Sequence, residues 1–254
     1  PVTVEVNNPD CEGESHFPDY EQIITKEEPV SRIILNAKYL KEVAQVFEKH
    51  GDRKVELQIF TKDLTSDTDR WNELIKKATS VAELDHPGLV HVYDIDHDGD
   101  RYYLVVEHIS GQPLNASDPG FNVPQIGRLV LQCVDSIQFA HQSNVFHGTI
   151  EASDLLITDE GAVKIQNLTV SPLRNLNLKC PEPTAVDDFS AISAVGEKLL
   201  QVSNERSTDA SKTLQSIFNG LKTADDRAVS QLRRWVAENP DGSLEDSTSS
   251  GSHR

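Results

Sequence analysis

Between residues 147 and 167 the chain gathers the side chains best suited to chemistry: His147, Thr149, Glu151, Asp154 and Asn167. An imidazole beside two carboxylates is the usual material of general acid–base work, because such groups hold or release a proton near neutral pH. Thr149 interrupts that pattern, since threonine is no general base at neutral pH. Glu151 and Asp154 could act as a carboxylate pair, but a solvated loop edge accounts for them more simply. His147 reads as a core histidine bonded to nearby backbone. His86, His91, His97 and His141 have no ligand spacing, so no metal is inferred.

These residues need elements to position them. VELQIF (55–60), LVHVYDI (89–95) and RYYLVVEHI (101–109) carry strand signals, and the turn-rich residues 96–100 suit a hairpin between the last two. Helical periodicity follows: Ile126, Leu129, Val130, Cys133, Val134, Ile137 and Ala140 form one apolar stripe. Further helices are expected over 191–202 and 211–221. Between the first two helices, LLITDEGAVKI (155–165) predicts a hairpin turned by Asp159, Glu160 and Gly161. Strands first and helices later is the α+β pattern. Leu40, Val43, Val46 and Phe47 fit a helix as well as a strand, and residues 62–70 read as a helix entrance with Ser66 or Asp67 as N-cap.

The chain has 254 residues, enough for one large core or two modest ones. Its 41 acidic and 24 basic residues give a net charge of −17, which disfavours nucleic acid and anionic membranes as partners and favours a basic protein segment. Cys11, Cys133 and Cys180 suggest neither a disulfide framework nor a zinc knuckle, which makes a cytoplasmic setting the default. No apolar run reaches the roughly 20 residues of a membrane span. The chain opens at Pro1 and has no methionine, so it reads as a fragment of something longer, including the cytoplasmic domain of a larger membrane protein. Residues 1–17 and 240–254 are polar and read as an N-terminal linker and a disordered Ser-rich tail.

Residues 84–114 (LDHPGLVHVYDIDHDGDRYYLVVEHISGQPL) and 140–168 (AHQSNVFHGTIEASDLLITDEGAVKIQNL) resemble the bacterial serine/threonine protein kinase family. The resemblance extends over about residues 17–239 and implies a two-lobed fold, with an N-lobe at 18–107 and a C-lobe at 108–239. It also implies where catalytic groups should stand. No glycine lies between Gly13 and Gly51 to form a phosphate-binding loop. The phosphate-holding lysine falls on Gln58, and its glutamate partner falls near Lys77, with Glu73 one turn away. The catalytic aspartate falls on Thr149, the lysine after it on Glu151, and the two metal ligands on Asp154 and Asn167.

What the resemblance retains is architectural. Asp187 takes the role of the aspartate that caps the catalytic-loop backbone, and Glu182 with Arg227 the role of a buried ion pair. The segment 167–182 is short for a phosphorylation-ordered switch. The implied reading is a pseudokinase that is no enzyme and takes no cofactor. Such a module would bind a protein, with the Ser/Thr-rich tail a target for a phosphopeptide-binding domain. The alternatives are a weak or atypical kinase, and a sensor of a small molecule near Val106 and His108, at the expected gatekeeper and hinge positions.

Overall fold

The computed structural model describes residues 2–5, 55–60, 68–98, 101–117, 120–169 and 182–240. The expectations for residues 40–47, for Ser66 and Asp67, for most of the 167–182 segment and for the tail beyond Pro240 lie outside them.

The first lobe is an antiparallel sheet in the order β1-β2-β4-β3, formed by Val2–Glu5, Val55–Ile59, Arg101–Glu107 and Val92–Asp98. Helix α1, Thr68–Ala82, packs on it. Residues 2–5 differ from the linker expected for 1–17: Val2 and Val4 alternate with Thr3 and Glu5, a period of two that suits a sheet edge. Alternation also sorts β2. Val55 and Leu57 pack with Tyr103 and Val105 on one face, while Phe60 joins Leu104, Val106 and α1 on the other. Strand β3 begins at Val92 rather than Leu89, because Leu89 forms a parallel bridge to Ile165 in the other lobe.

The second lobe is helical around a small sheet, β5-β6-β7 (Gly111–Pro113, Leu155–Thr158, Val163–Ile165). Helix α2, Val123–Gln142, starts at a capping box. Asn122 accepts from the Gln125 N–H at 2.8 Å, and the Gln125 side chain accepts from the Asn122 N–H at 2.9 Å. Its predicted stripe is buried throughout. Helices α3 (Ala185–Val202), α4 (Asp209–Leu221) and α5 (Asp226–Glu238) surround it. The periodicity of 191–202 found the last two thirds of α3. Its first turn is set by Thr184, whose hydroxyl and N–H both donate to Asp187. This is the two-lobed, α+β architecture that the resemblance implies.

Three polar contacts help to fasten the lobes. Residues 88–90 hydrogen-bond to Ile165 through Val90 N–H to Ile165 O and Ile165 N–H to Gly88 O, both at 2.9 Å. Lys164 of β7 reaches both carboxylate oxygens of Glu107, at the end of β4, at 2.7 Å. The third contact runs from α1 to the loop after α2.

Candidate functional site

The loop from Val145 to Ile150 follows α2 and is held by α3. Asp188 is fully buried, and its carboxylate accepts from the His147 N–H at 2.9 Å and the Gly148 N–H at 2.6 Å, with His141 Nε2 at 2.8 Å. These donors replace the water that a buried carboxylate loses. The capping role expected of Asp187 therefore belongs to Asp188. Asp187 is exposed and occupied with the start of its own helix. One residue turns a helix by about 100°, and Asp188 stands one turn before Ile192 on the buried stripe, a signal available in the sequence.

His147 is buried. Its Nε2–H points to the Gln166 carbonyl at 3.2 Å, and Nδ1 accepts from the Thr149 N–H at 3.4 Å. Burial, first of all, pushes this imidazole below its usual pKa of 6.5, against the pull of Asp154 and Asp188. Gly148 takes φ +88°, in the left-handed region, and a Cβ there would stand 2.7 Å from Pro183, so glycine is required twice over.

The solvated edge expected of Asp154 and Glu151 holds for Glu151 and not for Asp154. Glu151 is exposed, but Asp154 is fully buried, its Oδ2 accepting from the Glu151 N–H at 2.9 Å and its Oδ1 from Asn167 Nδ2 at 2.8 Å. Asn167 is brought to it by a left-handed backbone at φ +65°, which asparagine tolerates. The structure thus brings together His147, Asp154, Asn167 and Asp188, and leaves Glu151 and Asp187 at the surface.

Kinases work on Mg·ATP, and the residues at those positions do not fit it. Asp154 is enclosed and engaged through both oxygens, and Gln58, 5% exposed on β2, carries no charge. Gln58 Oε1, Thr149 Oγ1 and Thr169 Oγ1 are buried without hydrogen-bond partners. No cluster of three metal-ligating residues occurs among the described residues.

The buried ion pair expected of Glu182 and Arg227 does not form, because both side chains are exposed. Arg227 stands at the start of α5, where its N–H donates to the N-cap Asp225. Glu182 instead lends its negative charge to Lys77. Lys77 is the residue that sequence reasoning undervalued. It donates to the Phe146 carbonyl at 2.7 Å and lies on the α1 stripe between Leu74 and Val81. Val106, of the suggested sensor pocket, is core, and His108 is half-buried.

A family model described as protein kinase domain matches residues 40–183, more than half of the chain. Serine/threonine-protein kinase PrkC of Bacillus subtilis is 29% identical over 124 residues, 47% of this chain and 19% of that protein. Serine/threonine-protein kinase PknA of Mycobacterium tuberculosis is 27% identical over 143 residues, 51% of this chain and 32% of that protein. The matched part is therefore about a fifth to a third of these relatives. The crystal structure of the Mycobacterium tuberculosis PknI kinase domain matches with a TM-score of 0.54 at 12% identity, over 73% of this chain and 85% of that one, a likeness of fold. No helix among the described residues is long and apolar enough to cross a membrane.

These findings correct one expectation. The replacements at Gln58, Thr149, Glu151, Asp154 and Asn167 imply a chain that is no enzyme, yet the relatives carry the name of serine/threonine protein kinases and the matching model is that of the kinase domain. Substituted positions are weak ground for excluding activity, because phosphoryl transfer rests on positioning and electrostatics that several residue sets can supply.

Proposed function

Because this chain belongs to the protein kinase family, we propose that it serves as a regulatory, protein-binding domain built on the kinase fold. One observation carries the reading: the two buried carboxylates of the loop region are engaged by neighbouring groups of the fold. Asp188 holds His147 and Gly148, and Asp154 holds Glu151 and Asn167. Carboxylates engaged in this way hold the loop in one shape, and a shape is what a partner can recognise. The partner is a protein segment rich in Lys and Arg, matching the charge of −17, and the domain acts in the cytoplasm. The Ser/Thr-rich residues 240–254 supply a second contact, for an Arg-lined phosphopeptide reader.

The relatives' names favour a second reading, a serine/threonine kinase of low or atypical activity that uses other groups than Gln58 and Thr149. One preparation tests both. Partner capture by the immobilised chain is measured with and without ATP, beside transfer of radiolabel from ATP and a thermal-shift titration with Mg·ATP. Capture indifferent to ATP supports the binding domain. Competition by ATP, or turnover in the usual kinase range of about 1–100 s⁻¹, replaces it with the second reading.

A further inference from the structure

Burying an ammonium group costs free energy unless acceptors replace its water. Helix α1 carries one that is half-buried. Lys77 stands on the helix's apolar stripe and reaches 69 residues along the chain to the Phe146 carbonyl, 2.7 Å away, next to His147. Asp188 of α3, Glu182 just before α3, and His147 of the loop share its field. Glu73 lies one turn earlier on α1 and is exposed, and His141 of α2 engages the same Asp188 carboxylate.

We propose that Lys77 is a proton-operated latch between the lobes: its protonation state sets how firmly α1 is held against the loop that carries His147. The proposal is independent of whether the domain binds a protein or transfers phosphate. Burial pushes the amine down to about 8, although Asp188 and Glu182 both favour the ammonium form. Released into water, the same side chain titrates near 10.5. The seated state thus binds fewer protons than the released state between these two values. Seating therefore strengthens as pH rises and weakens as it falls. From these two values, the seating constant rises about tenfold between about pH 7 and about pH 9. His147 stays out of that window, because burial holds it below 6.5.

Hydrogen exchange of the full chain tests this, with α1 amides compared with those of α2 after correction for intrinsic exchange. Protection of α1 is expected to rise about tenfold over that pH range in the parent chain and to stay flat in Lys77→Met, which already holds α1 firmly at neutral pH. An equal rise in Lys77→Met overturns the latch. Lysine-selective NMR of the parent chain gives a second readout that requires no variant: a Lys77 Cε resonance titrating near 8 supports the proposal, and one titrating near 10.5 ends it.

Discussion

At the scale of single residues, adjacent aspartates have different roles. Asp188→Ala removes the acceptor of one buried and one half-buried N–H group, and a buried N–H left unpaired costs about 1–3 kcal/mol, so a loss on the order of 3 kcal/mol is expected in urea unfolding. Asp187→Ala removes only a helix cap, worth about 1 kcal/mol. Equal losses for the two would return the loop to Asp187. His147 adds a pH dependence. Its folded-state pKa lies below 6.5, so the unfolded chain takes up the proton first, and stability is lost as pH falls below about 6.5. His147→Gln should show a shallower decline on acidification; a decline as steep as the parent's would place the titrating group elsewhere. Of this site, His147 was legible from its neighbours in the motif. The engagement of Asp154 was not, because it depends on Asn167, 13 residues away, adopting a left-handed backbone.

At the scale of elements, the second lobe depends on close helix crossings. Gly196 lies inside α3, where alanine is favoured by about 1 kcal/mol on propensity alone. A Cβ there would stand 2.7 Å from both the Phe218 ring of α4 and the Val130 side chain of α2. Overpacking of a closed core costs about 1–3 kcal/mol, and it falls here on two fully buried partners. Gly196→Ala should therefore lower the urea midpoint despite its helix propensity; a raised midpoint would mean that the helices separate easily. The α2 stripe was legible because every member is apolar and meets another helix. Helix α5 had no predicted bounds because Arg227, Arg233 and Arg234 dilute its stripe to Ala228, Val229, Leu232 and Trp235.

At the scale of the molecule, the two lobes share one core. Leu74, Ala78 and Val81 of α1 belong to the same buried cluster as Leu104, Ile126, Ile165 and Trp235. Among the described residues, Val55, Leu57, Tyr103 and Val105 form a separate group, on the far face of the first sheet. A shared core should melt as a unit, so scanning calorimetry should give a single transition with matching calorimetric and van't Hoff enthalpies; two resolved peaks would divide the lobes. The two-lobed order was legible because strand and helix periods separate near residue 110. The fastening was not, because Glu107–Lys164 and Lys77–Phe146 join positions 57 and 69 residues apart. Charge acts at the same scale. With −17 overall, encounter with a Lys/Arg-rich peptide is steered by a field whose reach shrinks from about 30 Å at 0.01 M salt to about 3 Å at 1 M. Stopped-flow association with such a peptide should slow by about tenfold or more across that range while dissociation changes little, because steering acts on the approach. A rate indifferent to salt would mean that the partner is recognised through apolar contact, and the basic segment would no longer describe it.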